Sequence, residues 1–278
     1  MSDALVDSEL MQSFVHARLI FLVKSSEKPV NIPSIAGGEP ERNTGLADER
    51  DVLVHNARRS DEEFTLDRHG FMLVPQVSRV DDFYDDAAIE SVHHDEVASV
   101  IKHATGARLV RVFDHTRRSD DPNVIRLKKT RDPSRTVHND YTTRSAPQRV
   151  RDLLGDEAEA LLSRRFAIVN LWRSMAGTVH RSPLALCDAR TVDEADLIAT
   201  ERRARNRIGE TYRLAFNENQ RWYYFPQMQS DEALLIKTFD SIEDGRARFA
   251  PHAAFENPSA GASAAPRQSI ESRAFVFY

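Results

Sequence analysis

One cysteine, Cys187, stands in a chain of 278 residues. No internal disulfide can form, and no cluster of thiolates can hold a metal. Such sparing use of cysteine fits a reducing compartment. Long apolar runs are also missing. Residues 15–23 are the nearest approach, but His16 and Arg18 interrupt them, and a membrane span needs roughly 20 apolar residues. The first residues lack a basic segment followed by an apolar run and a cleavage site, so a cytoplasmic protein is expected. Positive charge is not in excess: 38 Lys and Arg face 43 Asp and Glu, a net −5. A general nucleic-acid binder would need a basic face, and the one Arg cluster (Arg202, Arg203, Arg205, Arg207) is flanked by Glu201 and Glu210. Neither a G-X-G-X-X-G nor a P-loop pattern occurs, which removes the sequence case for a dinucleotide or P-loop site. No repeat of 20–50 residues is visible, which argues against a solenoid or propeller.

What remains is an ordinary globular composition, 41% hydrophobic and 29% charged, with enough chain for one sizeable core. Residues 14–24 and 51–56 read as strands, and 64–74 as a hairpin turning near Gly70. Residues 25–50 lack periodicity and read as a long loop or a lid. Residues 82–105 carry helical spacing of apolar residues, and Gly106 should end that helix. Residues 108–113 read as a strand. Pro147 should begin a helix reaching about Arg165, and residues 166–172 (FAIVNLW) form an apolar run suited to a strand covered on both faces. Thr191 with Glu194 has the capping-box spacing of a short helix start. From Glu210 onward the pattern is strand-rich. The expected fold is mainly β with flanking helices.

Against that background, His138-Asn139-Asp140 is the most informative stretch. In an extended segment, residues two apart share a face, so His138 and Asp140 could chelate one ion. Alone, the pair could equally be a polar loop. His252 lies 114 residues further on, in a segment whose alanines leave room for a ligand. Two histidines and one carboxylate on one face of a metal are the facial triad of non-haem Fe(II) oxygenases. Taken singly, His252 could also be a surface or hydrogen-bonded core histidine. Arg267 and Ser269 follow, and an Arg fork beside a hydroxyl suits the carboxylate of a cosubstrate. Arg273 is a rival for that role. Trp172 and Arg173, at the end of the apolar run, and Tyr224 are candidate substrate contacts, and each could instead be structural. His93-His94 reads as solvated helix surface, since adjacent residues do not share a helical face.

The stretches FTLDRHGF, VFDHTRR, VHNDYT, VNLWRSMAGTVHRSPLALCDART, ALLIKTFDS and PHAAFENPSA…PRQSIESRAFVFY resemble the CmcJ-like oxygenases, a family that includes gibberellin-desaturase-like enzymes and fungal AsaB-type hydroxylase/desaturases. The resemblance runs from about residue 14 to the end. It implies a double-stranded β-helix of the jelly-roll, cupin-like kind, with Fe(II), 2-oxoglutarate and O2 as cofactor and cosubstrates. It implies iron on His138, Asp140 and His252, and 2-oxoglutarate on Arg267 and Ser269. Ser174 departs from the family pattern, where a proline is expected.

The expectation is therefore a single oxygenase domain over residues 1–278. Residues 14–130 would supply N-terminal strands and a supporting helix, and 131–278 a metal-binding core with a helical insertion at about 147–210. It would hydroxylate or desaturate a small-molecule secondary metabolite, with neither nucleic acid nor membrane as partner. Two alternatives stay open: an iron oxidase working without 2-oxoglutarate, and a cupin-like binding protein without turnover.

Overall fold

The computed structural model describes residues 9–278, so the first eight residues of the expected domain lie outside the described ones. In chain order the strands are β1 (Phe14–Leu22), β2 (Val30–Ile32), β3 (Arg42–Asn43), β4 (Ala47–Asn56), β5 (Phe71–Pro75), β6 (Leu109–Ser119), β7 (His138–Asn139), β8 (Phe166–Ser174), β9 (Leu184–Cys187), β10 (Leu197–Ala204), β11 (Arg207–Leu214), β12 (Trp222–Tyr224), β13 (Glu232–Asp240), β14 (His252–Ala254) and β15 (Gln268–Phe277). The α-helices used below are α1 (His94–Thr105), α2 (Pro122–Lys128), α3 (Ser145–Leu154) and α4 (Ala158–Leu162).

Ten strands form one sheet in the order β1-β4-β12-β9-β14-β7-β11-β10-β2-β3, and five form the other in the order β5-β13-β8-β15-β6. From β7 to β9 and again from β12 to β15, consecutive strands alternate between the two sheets. That alternation is the double-stranded β-helix. It seats β14 between β7 and β9, so residues far apart in sequence become neighbours in one sheet.

The strand period of two decides what each side chain meets. Along β9, Leu184 and Leu186 face the space between the sheets, while Ala185 and Cys187 face a second core. Along β12, Tyr223 joins the first group, and Trp222 and Tyr224 the second. That second core is covered by Leu19 and Phe21 of β1. Ile20 of β1 also bridges Thr136 beside β7, so the larger sheet curls back over its own outer side.

Every residue of β8 is buried, as the apolar run predicts. One face supplies Ile168 and Phe166 to an aromatic cluster with Phe239, Phe275 and Phe277. The other supplies Val169 and Leu171 to a core under α1, where Val97 and Ile101 are buried. Each of those two side chains contributes about 1.5–3 kcal/mol by leaving water. The helix ends at Gly106 in the left-handed conformation, φ 65°.

Several expectations need correction. The segment 147–210 is not a helical insertion. It is helical only as far as Leu162, then contributes β8 to the centre of one sheet and β9, β10 and the first half of β11 to the other. Residues 64–74 are not a hairpin. Only β5 is a strand there, and its partner is β13. Thr191 starts no helix; the short 3-10 turns nearby are capped by Asp188 and Asp193. Residues 25–50 contain β2, β3 and the start of β4. His93 is fully buried, at hydrogen-bonding distance from the Ser272 hydroxyl (3.1 Å).

Candidate active site

β7 and β14 pair antiparallel with His138 directly opposite His252. Their rings lie 4.7 Å apart, centroid to centroid. Asp140 follows on from β7, with Oδ1 3.9 Å from Nε2 of His138. One ligand atom from each of His138, Asp140 and His252 can be chosen so that all three lie within 4.8 Å of one another. The structure therefore brings together the three residues singled out in the sequence.

The hydrogen bonds around them are specific. Nδ1 of His138 lies 2.8 Å from the carbonyl of Thr136, and Nδ1 of His252 lies 2.9 Å from the carbonyl of Ala250. A carbonyl can only accept, so each Nδ1 carries the hydrogen, and in a neutral ring each Nε2 keeps a lone pair. Burial, followed by the charges of His252 and Arg213, pushes the pKa of His138 down to about 3, so the ring is neutral at pH 7. Burial alone would raise the pKa of Asp140. The Arg273 guanidinium, with His138 and His252, more than offsets it and holds the carboxyl well below its usual range.

Asp140 is also held in orientation. Its Oδ2 accepts from Asn170 Nδ2 at 2.7 Å and from Arg273 Nε at 2.8 Å. No hydrogen bond reaches Oδ1 among the described residues, and this is the oxygen facing His138. Asn139, between the two candidate ligands, donates to the carbonyls of Tyr141 and Thr238 and accepts from the Ala250 amide. It thereby ties β7 to the chain two residues before His252.

Two neutral imidazole nitrogens and one oriented carboxylate oxygen fit a divalent metal of the first transition row, and Fe(II) in particular as a facial triad. No soft ligand competes. Cys187 is buried on the other face of β9, and burial pushes its thiol up.

Arg267 and Ser269 sit at the start of β15, in the facing sheet. Arg267 is buried; it donates through Nε to the Ser269 hydroxyl at 3.1 Å and through a terminal nitrogen to the Ser182 carbonyl. The Trp172 ring lies beneath it at 5.3 Å. No carboxylate forms an ion pair with its guanidinium among the described residues. Burial, then the nearby Arg118 charge, pulls its pKa down to about 9. Asp120 and Glu271 only partly offset that burial, so this buried cation has no directly paired anion among the described residues. Arg273 differs: it contacts Asp140, Asp114, Thr116 and Glu271. That occupancy removes it as a free anchor for a cosubstrate.

Of the three candidate substrate contacts, only Trp172 faces the space between the sheets. Arg173 lies on the opposite face of β8, bonded to Gln76 and the Ser230 carbonyl and stacked 4.9 Å from the Phe83 ring. Tyr224 faces the outer core against Phe255, 5.5 Å away. Both corrections follow from the strand period: one step along a strand reverses the face.

Sequence reading missed Asn170. The signal was present, as a single amide within the apolar run FAIVNLW. It also missed the cavity that opens beside His138 and Asp140, about 210 Å³ in volume, walled in part by Arg131, Arg202, Arg207 and Arg213. Asn31 and Glu41, from the stretch expected as a loop or lid, line it too.

A family model described as an oxidoreductase/YMDC permease-like domain matches residues 19–277. The hydroxylase/desaturase CTB9 of Cercospora beticola is 37% identical over 254 residues, covering 82% of this chain and 76% of that protein. The Fe(II)/2-oxoglutarate-dependent dioxygenase nvfI of Aspergillus novofumigatus is 35% identical over 81% of this chain and 82% of its own length. The hydroxylase/desaturase asaB of Aspergillus flavus is 30% identical over 83% and 82%. Among solved structures, the iron and alpha-ketoglutarate-dependent endoperoxidase NvfI superposes with a TM-score of 0.85 at 28% identity, covering 96% of this chain and 98% of that one. These relatives set aside both the oxidase working without 2-oxoglutarate and the non-catalytic binder. The chain belongs to the CmcJ/AsaB/gibberellin-desaturase-like family of non-haem iron oxygenases, and its reaction uses Fe(II), 2-oxoglutarate and O2.

Proposed function

We propose that His138 and His252 through Nε2, and Asp140 through Oδ1, hold the iron, and that Arg267 with Ser269 holds the distal carboxylate of 2-oxoglutarate. Bound Fe(II), with 2-oxoglutarate and O2, supplies an oxidant able to take hydrogen from an unactivated C–H bond, with succinate and CO2 as coproducts. The protein's own residues bind and orient. Thr136 and Ala250 fix the two imidazole tautomers through their carbonyls. Asn170 and Arg273 hold one oxygen of Asp140 and leave the other for the metal. Trp172 supports the Arg267 fork from below. The substrate is a small molecule, a secondary metabolite that is hydroxylated or desaturated, entering through the cavity beside His138 and Asp140. The lone buried Cys187 and the net negative charge favour a cytoplasmic enzyme with no nucleic-acid partner. No helix among the described residues is long and apolar enough to cross a membrane.

The observation that carries this reading is the pair of Nδ1–H bonds to backbone carbonyls on facing histidines, beside a carboxylate tied down on one side only. Outer partners of this kind are what orient metal ligands. Anaerobic addition of Fe(II) and 2-oxoglutarate should produce a metal-to-ligand charge-transfer band in the visible, and turnover should release succinate. A protein that binds Fe(II) but never develops the band would refute the cosubstrate assignment.

A further inference from the structure

The wall of the cavity beside His138 and Asp140 is unusual for a site that accepts a hydrocarbon skeleton. Among the described residues, Pro33 is the only apolar one lining it, and seven arginines face three carboxylates. Two of those carboxylates, Asp114 and Asp140, are engaged by Arg273, and the third, Glu41, by Arg213. Arg118 donates to the Asp132 carbonyl, and Arg149 lies over the Phe113 ring at 5.6 Å. Arg131, Arg202 and Arg207 have no ion pair and no side-chain hydrogen bond among the described residues.

These three cations come from separate segments. Arg131 belongs to the stretch between α2 and β7, where it bridges Arg118. Arg202 and Arg207 belong to the β10–β11 hairpin. In its register Arg202 is opposite Gly209, and Arg207 is opposite Ala204. All four positions therefore lie on one face of the hairpin, with the two small residues leaving room for the two arginines. Arg203 alternates to the other side, where it pairs with Glu201. Burial, followed by the charge of Arg273, pulls the pKa of Arg202 down to about 10. Cations gathered in a half-buried wall without counter-charge repel one another, and an anion relieves that repulsion. The cosubstrate would not remove the excess, because its distal carboxylate is assigned to Arg267, which is not part of this wall, and its other carboxylate to the iron.

Resting on the function proposed above, we infer that the primary substrate is an organic acid, whose carboxylate docks on Arg202 and Arg207 of the hairpin together with Arg131, while a C–H bond elsewhere in the molecule faces the triad. Two probes of equal size test it, phthalate and its neutral diamide, phthalamide. Each is titrated by calorimetry into the anaerobic Fe(II)·2-oxoglutarate complex while the visible band is monitored. Phthalate should bind at least tenfold more tightly than phthalamide with the band retained. Arg202→Gln with Arg207→Gln should reduce that preference to less than twofold and leave the Kd for 2-oxoglutarate within twofold of the parent. Arg131→Gln, on a different segment, should lower the preference at least threefold by itself. Equal or absent binding of the two probes overturns the inference. Loss of the band on adding phthalate, or weaker 2-oxoglutarate binding in the hairpin variant, also overturns it, since the arginines would then serve the cosubstrate. Failure to form the band before any probe is added counts instead against the iron and cosubstrate assignments.

Discussion

Arg273 Nε lies 2.8 Å from Oδ2 of Asp140, while Oδ1 of the same carboxylate faces Nε2 of His138 at 3.9 Å. One oxygen is held by the facing sheet, and the other is left on the side of the two histidines. This split makes Asp140 a one-oxygen ligand in the proposed site, and Asn170 holds the same Oδ2 from β8.

Asn170→Ala should therefore free the carboxylate to rotate while the charge pair with Arg273 survives. Iron affinity should fall about 10–100-fold, as for other outer partners of metal ligands, with the circular dichroism spectrum unchanged. Metal titration followed by the charge-transfer band measures it. An unaltered Fe(II) affinity would show that Arg273 alone orients Asp140.

His138→Ala and His252→Ala should each abolish stoichiometric Fe(II) binding and 2-oxoglutarate turnover, a greater loss than any outer partner produces. Succinate release is the readout. Full turnover in either variant removes that residue from the proposed ligand set.

Arg267→Ala should weaken 2-oxoglutarate by about 30-fold or more, since truncating one partner of a buried charge pair costs about 2–5 kcal/mol. Ser269→Ala removes a single hydroxyl and should cost about 1 kcal/mol, roughly fivefold. Both are read as Kd from the visible band. Equal, small effects in the two variants would place the distal carboxylate elsewhere.

Asn139→Leu keeps the branching and the number of side-chain heavy atoms but leaves two carbonyls and one amide buried without their partner. The cost should be about 2–4 kcal/mol, lowering Tm by roughly 5–15 °C. A Tm within 1 °C or so of the parent would mean that water replaces all three bonds.

Arg173→Ala should lower Tm, because it removes the bonds to Gln76 and Ser230 and the stacking on Phe83. It should leave the 2-oxoglutarate Kd within twofold. The opposite pattern, normal Tm with weakened ligand binding, would return Arg173 to the site.

Local features were legible where the physics is local. The helix ending at Gly106 needs only helical spacing and a residue tolerant of the left-handed conformation. The strand over FAIVNLW needs only a continuous apolar run. His138-Asn139-Asp140 could be read because its two outer residues are separated by one position. Elsewhere local reading failed for physical reasons. The helical pattern near Pro147 was extended into an insertion, although β8 and β9 complete the two sheets. Arg173 and Tyr224 sit one residue from positions that face the space between the sheets, and nothing local reveals which parity points inward. Asn170 stood out only as an amide in an apolar run, and its partner lies 30 positions away.

By itself, the sequence determined the available chemistry: imidazoles and carboxylates without a second thiol, no phosphate-cradling glycine loop, and a net charge of −5. Those choices are compositional and survive any folding. The tertiary structure decided which of the ten histidines meet, because β14 enters the sheet beside β7 and sets His252 opposite His138. It also decided which ring nitrogens keep lone pairs, which oxygen of Asp140 stays open, and which arginines form no ion pair among the described residues. Each of these depends on partners contributed by other strands and loops, and for His252 and Arg273 the partner is more than 100 residues away. Only the closing of two sheets over one cavity brings such partners within hydrogen-bonding reach.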